Sequence, residues 1–498
     1  MRFYKLILGL FAGLFFLTFI GCNQHNVSEL RTPLEKVNYS SSTSNADLVA
    51  FLVQCDSLQP AIKTAFYDLD DGTTMPLVFV TKEDKSIPKL NVFLLAQQHG
   101  NEPSGMEGIL MLIRDFAEGK HAHLTEKLSL LILPQCNPSG AESHTRRTAE
   151  GIDLNRDHLL LRTAETRLIQ RIYSQYKPEM TVDIHEYYPF GSAWADFGFR
   201  RNFDIQLGGL TNINVHPDLR NLFKEVALPF VKEKVEKQNF SFFEYTLGDF
   251  PDGKRLRHST VDINDGRQSF GIAGSFSVIV EGMNGRDSLD NIKRRAQSQY
   301  ATALALLEFA YLKADDIFKA TTLARNELNE KHEMVSIRMD HFKGNVPLQY
   351  PLLNLRTNTD TVFLVEEYHS EVISLLDVWP PKAYLIPKSD TMLSTWLKRS
   401  GLTYEKHMPG DLNVFAYNIK AVNPSFDEET ANLYPDVEKT MLKHFSADDY
   451  YYLSAEGIFK HKIITALEPQ SMYGLASYPE FEYLLMEDIF PVLRVENR

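Results

Sequence analysis

In the stretch FLLAQQHGNEPSGMEGIL, residues 93–110, an apolar run gives way to a turn carrying His99 and Glu102, and a helical pattern opens at Pro103. A hydrolytic zinc ion takes three protein ligands and keeps one position open, and two histidines with one glutamate form a known set. The turn offers two of the three. The best third ligand is His185, which closes the apolar run of TVDIHEYY; His144, His158 and His216 follow no comparably clear strand. Glu281 ends another apolar run, SFSVIVEG. A carboxylate there is costly to bury unless it has work or a partner, and beside a metal it could move a proton between water and a leaving amine. Glu186 competes for that role, but its side chain should point to the other side of an extended backbone from His185. Between these pieces, NPSGAESHTRRTAEGIDLNRDH (137–158) carries Arg146, Arg147, Asn155 and Arg156. Guanidinium groups are permanently charged forks suited to a carboxylate or an oxyanion.

These residues need elements that bring them together. From about residue 65 the chain alternates strand-like runs (KLNVFLLAQ, KLSLLILPQ, EMTVDIHEY, SFSVIVEG) with helical spacings. Such alternation predicts an α/β fold with a mainly parallel mixed sheet flanked by helices, and ligands near the carboxyl ends of its strands. His99, His185 and Glu281 all fall at strand ends. Beyond about 318 the pattern shifts to short alternating segments, which predicts a smaller α+β or β-rich C-terminal unit over 318–498 of unassigned role. The histidines there are scattered without ligand spacing.

The chain has 498 residues and a formal charge of −13, which favours more than one domain and disfavours nucleic acid as a partner. The first 22 residues, MRFYKLILGLFAGLFFLTFIGC, place Arg2 and Lys5 before a short apolar run and then Cys22. That order reads as a signal peptide over 1–22. Its ending, FIGC, resembles a bacterial lipobox, with Phe19 where leucine is usual. This implies lipidation of Cys22, contact with the membrane through that lipid only, and location in the bacterial cell envelope, on the periplasmic side or at the outer membrane. Residues 23–44 read as a flexible linker, with Asn45 capping the first helix of the body. Cys55 and Cys136 make neither a disulfide framework nor a zinc pair.

Together, HGNE, NPSG, TRRTAEGIDLNRD, DIH and SVIVEG resemble, in order, the motifs of the M14 zinc carboxypeptidase family. The resemblance spans roughly residues 45–315 and sets the catalytic domain at 45–317. It implies one zinc per chain on His99, Glu102 and His185, with Asp153 orienting the first histidine by accepting its other N–H. It implies Arg146 on the scissile carbonyl, Asn155 and Arg156 on the substrate's terminal carboxylate, and Glu281 as general base and acid. The implied reaction is hydrolysis of C-terminal peptide bonds by a zinc-activated water, on peptides with a free C-terminal carboxylate. Three departures stand out. NPSG replaces NPDG. Asp157 follows Arg156 where the family has asparagine, which could weaken carboxylate capture. The capping tyrosine of digestive members is missing from its place, where His258 stands, and Tyr245 lies further upstream. Two other readings share these residues: an N-acyl amino acid amidohydrolase of the succinylglutamate desuccinylase or aspartoacylase type, and a non-catalytic envelope binding protein on the same fold. Oligomeric state and physiological substrate are not legible.

Overall fold

The computed structural model describes residues 30–82, 88–249, 254–406, 412–427 and 430–496; the signal peptide and Cys22 lie outside them. Eight strands form the central sheet: β1 (Ile62–Asp68), β2 (Thr74–Val80), β3 (Leu90–Ala96), β4 (Leu128–Leu133), β5 (Met180–Tyr187), β6 (Ile205–Gly208), β7 (Phe242–Glu244) and β8 (Phe276–Met283). Their order is β1-β2-β4-β3-β5-β8-β6-β7. The middle four, β4-β3-β5-β8, run parallel, and antiparallel strands flank them. This is the mixed, mainly parallel sheet that the alternation predicts. The helices used below are α1 (Asn45–Leu58), α2 (Pro103–Ala117), α3 (Ala164–Tyr176), α4 (Gly266–Gly271), α5 (Ile292–Leu312), α6 (Ala314–Glu330), α7 (Thr391–Arg399) and α8 (Lys460–Leu467).

The middle strands are buried on both faces, which is why they read as unbroken apolar runs. On one face Phe93, Leu95, Leu131 and Leu133 pack against Ile169, Ile172 and Tyr173 of α3 and Phe270 of α4. On the other face α2 and α5 cross closely at Gly108, where a Cβ would lie 2.8 Å from the Ala296 carbonyl oxygen. Only glycine permits that approach.

Residues 31–44 depart from the expected flexible linker. Thr32 and Glu35 form a capping box on a helical turn, Pro33–Lys36, and Leu34 is buried against Met111, Ile292 and Ala296. The Thr43 N–H donates to Glu107 Oε1 at 3.1 Å. Leu34 with Tyr39 packed beside it, the capping box and the Glu35–Arg114 ion pair lay this polar segment on the body. Ser44, rather than Asn45, caps α1.

The C-terminal region adds antiparallel sheets, as its short alternating segments predict. Thr430–Met441, Asn413–Asp427, Leu493–Glu496, Ala383–Pro387 and Tyr450–Ser454 form a five-stranded sheet in that order. A hairpin of Leu348–Asn354 and Thr359–Val365 is extended by Phe199–Arg200 from the preceding part of the chain. The expected boundary at 317/318 falls within α6, and residues 31–498 make one compact unit. Cys55 and Cys136 are both buried and free. No helix among the described residues is long and apolar enough to cross a membrane.

Candidate metal centre

The chain leaves β3 through Gln97, whose φ of 55° turns it sharply away from the sheet. The loop after β4 meets this turn: the Cys136 and Asn137 N–H groups donate to the Ala96 and Gln97 carbonyls at 3.0 and 3.1 Å. A Cβ on Gly100 would lie 2.0 Å from the Gly140 carbonyl carbon, so the HGNE turn can meet the NPSG turn only because residue 100 is glycine. Pro103 then starts α2 at its first position, where a missing N–H costs nothing.

His99, Glu102 and His185 converge, all buried. His99 Nδ1 lies 2.8 Å from Glu102 Oε1 and 3.2 Å from His185 Nδ1, and His185 Nδ1 lies 3.1 Å from Glu102 Oε2. Tetrahedral zinc bonds of about 2.0–2.1 Å would set ligand atoms roughly 3.3 Å apart, so the spacing suits the ion. The outer nitrogens give a second test of fit. His99 Nε2 sits 3.1 Å from Asp153 Oδ1, and His185 Nε2 sits 2.9 Å from Asp183 Oδ1. A carboxylate accepting from Nε2–H fixes the tautomer whose lone pair is on Nδ1, facing inward. Two inward lone pairs and a carboxylate repel one another unless a cation sits among them.

Asp183 was not singled out in the sequence, although it lies two residues before His185 and therefore on the same face of β5. Gln98 holds it, with Nε2 at 2.8 and 2.9 Å from its two oxygens. His158, one of the alternative third ligands, instead supports this chain: its Nε2 pairs with Gln98 Oε1 at 2.8 Å and its Nδ1 with Gln170 at 3.0 Å. His144 is exposed, and His216 pairs with Glu327.

Arg146 stands at the mouth of the cluster, with Nε on Asp153 Oδ2 at 2.9 Å and Nη1 at 3.2 Å from His99 Nδ1. Its side chain is 45% exposed, which leaves donors for a ligand. Arg147 points elsewhere, onto the Gly151 carbonyl. Arg156 is 37% exposed, with Nη1 on the Asn155 carbonyl at 2.8 Å and Nη2 at 3.9 Å from Asp262 Oδ2. Asn155 is buried beside Arg156, with Oδ1 accepting the Gly266 N–H at the start of α4 at 2.9 Å and Nδ2 3.3 Å from His185 Nε2.

Asp157 corrects a further expectation. It is fully buried and accepts from the Arg162 N–H and Nε, the Thr163 N–H and hydroxyl, and the Thr166 hydroxyl. These bonds organise the entry to α3, so its charge is compensated and does not compete with an anion at Arg156.

Glu281 on β8 stands in register with His185 on β5. It is 7% exposed and its carboxylate has no hydrogen-bond partner among the described residues. Burial pushes its carboxyl up, and the nearby Glu102 carboxylate adds to the rise. Glu186, the competing base, is engaged: Arg295 holds Oε1 at 2.8 and 2.9 Å, and the Ser104 N–H of α2 holds Oε2 at 3.1 Å. Tyr245 lies in the interior, with the Arg267 guanidinium 5.9 Å from its ring centre. The tyrosines that meet the Arg156 side of the site come from the C-terminal region instead. Tyr473 donates its hydroxyl to Asp262, and Tyr478 accepts from Asn264 Nδ2 at 3.1 Å.

Residues 71–209 match the family model for the zinc carboxypeptidases, peptidase family M14. Over that stretch, which holds HGNE, NPSG, DLNRD and DIH, the chain is similar to a family of metallocarboxypeptidases. It is similar to carboxypeptidase 2 of Trichophyton rubrum, 26% identical over 390 residues that cover 74% of this chain and 70% of that protein. It is also similar to carboxypeptidase 2 of Trichophyton tonsurans, 24% identical over 461 residues that cover 87% and 82%. Among solved structures, a metallo-carboxypeptidase from Burkholderia cenocepacia aligns over 55% of this chain and 70% of its own, with a TM-score of 0.43 at 17% identity.

Proposed function

We propose that this protein is a zinc-dependent carboxypeptidase that removes C-terminal residues from peptides ending in a free carboxylate. The observation that supports this most is the inward convergence of His99, Glu102 and His185, with Glu281 unpaired in register beside them. One zinc per chain, held by those three ligands, would supply Lewis acidity to a water and to the scissile carbonyl. Glu281 accepts the proton of the attacking water and returns it to the leaving nitrogen. Arg146, anchored by Asp153, turns its remaining donors to the carbonyl oxygen as charge builds there. Arg156 pairs with the substrate's terminal carboxylate.

The names of the relatives support a peptidase over an acylamino-acid amidohydrolase, and the open Glu281 carboxylate supports an active over an inert site. The test is incubation of the purified chain with a mixed peptide pool and with the same peptides amidated at their C-termini. Stepwise loss of C-terminal residues is expected only from the free acids. Equal cleavage of the amidated pool would contradict the role given to Arg156.

Lipid anchoring in a bacterial envelope belongs to the same proposal and rests on the residues around Cys22. Labelled fatty acid should enter the full chain in a bacterial host and not the Cys22→Ala variant; equal labelling of both would refute it.

A further inference from the structure

Two segments hold the Arg156 end of the site, residues 155–162 and 259–269, and three separate pieces of the C-terminal region bond to them. From α7, Trp396 Nε1 donates to the Leu159 carbonyl at 3.0 Å. From α8, Lys462 Nζ donates to the His158 carbonyl at 2.8 Å and to Ser269 Oγ at 3.0 Å. The stretch after α8 reaches furthest in. Tyr473 donates its hydroxyl to Asp262 Oδ1, while the other oxygen of the same carboxylate lies 3.9 Å from Arg156 Nη2. Asp262 is 2% exposed and Tyr473 7% exposed, whereas the Arg156 side chain is 37% exposed. A buried, anchored carboxylate thus stands behind a half-open guanidinium.

We infer that Asp262, held by Tyr473, is a positioning residue for Arg156, and that the C-terminal region thereby completes the end of the cleft that takes the substrate's terminal carboxylate. The inference takes the identity of that anion from the function proposed above. An arginine side chain has many rotamers, and one that must bind a carboxylate in a fixed place gains by being oriented beforehand. Asp262 draws one edge of the guanidinium inward, and the Asn155 carbonyl holds Nη1 at 2.8 Å. The side chain remains 37% exposed. Tyr473 fixes Asp262 in turn, so that the carboxylate does not swing out to neutralise Arg156 fully.

The test uses the full zinc-loaded chain and a binding readout independent of turnover. Calorimetry would measure N-acetylphenylalanine, which carries a carboxylate, against N-acetylphenylalaninamide, which does not. The proteins would be wild type, Asp262→Asn, Tyr473→Phe, Arg156→Ala, and the Arg156→Ala/Asp262→Asn double variant, each checked for zinc content and Tm. The wild type should bind the acid and discriminate against the amide. Asp262→Asn should weaken acid binding about tenfold and Tyr473→Phe by a few-fold, with amide binding and zinc content unchanged. The double variant should be no weaker than Arg156→Ala alone, because Asp262 acts through Arg156. Unchanged acid binding in Asp262→Asn, losses that multiply in the double variant, equal losses for acid and amide, or no preference for the acid in the wild type would each overturn the inference. Should Asp262→Asn fail to fold, Tyr473→Phe alone decides, since it keeps the ring and removes only the hydroxyl. Failure of the proposed function is seen separately, as acid binding without peptide turnover.

Discussion

Replacing Glu281 by glutamine should lower kcat for C-terminal hydrolysis by about 10²–10⁴-fold, the range general acid–base catalysis contributes, while zinc content stays at the wild-type level. The amide keeps the size of the side chain and removes its capacity to carry a proton. Among the described residues Glu281 is the carboxylate beside His185 with no bond, since Asp183 holds the His185 ring and Glu186 is taken by Arg295 and the start of α2. Proton transfer therefore has no substitute group in place. Steady-state kinetics with elemental analysis on the same sample reads the outcome. A Glu281→Gln variant within threefold of wild-type kcat would remove Glu281 from the chemistry.

Glu102→Ala should abolish zinc binding and, with it, activity. Glu102 joins the cluster from both sides, touching His99 with one oxygen and His185 with the other, and it also accepts the Glu186 N–H at 3.0 Å. Its removal leaves two neutral imidazoles, too few ligands for a hydrolytic zinc site. Because a metal that binds only the folded chain stabilises it by mass action, added zinc should raise the Tm of the chelator-treated wild type and leave that of Glu102→Ala unmoved. Differential scanning calorimetry with and without zinc reads the difference. An equal rise in both proteins would place the metal elsewhere.

The legible parts of this site were those where local sequence and long-range placement coincide. The runs of β3, β5 and β8 are mainly apolar because both faces are covered, and His99, His185 and Glu281 lie at or just beyond their carboxyl ends, where a parallel sheet presents its ligand site. That reasoning located His99, His185 and Glu281 before any contact was known. It failed where one residue has several neighbours to choose from. Asp157 read as a charge beside Arg156, but its side chain turns the other way, into the Thr163 and Thr166 hydroxyls. The TPLE capping box at 32–35 is a local signature, but a single leucine gives no periodicity to mark a helix. The pairing of Asp262 with Tyr473, 211 residues apart, has no local signature in the chain. The role of the C-terminal region was therefore hidden until the fold placed it.

The central claim is that His99, Glu102 and His185 hold a zinc ion on which peptide hydrolysis depends. Its most direct measurement is zinc titration of chelator-treated residues 23–498, with metal bound and C-terminal amino acid released followed in the same samples. The account predicts saturation at about one zinc per chain, with release rising in proportion and reaching its plateau at the same point. Release that is unaffected by chelation, or full occupancy with no release from any free-acid peptide, would contradict it.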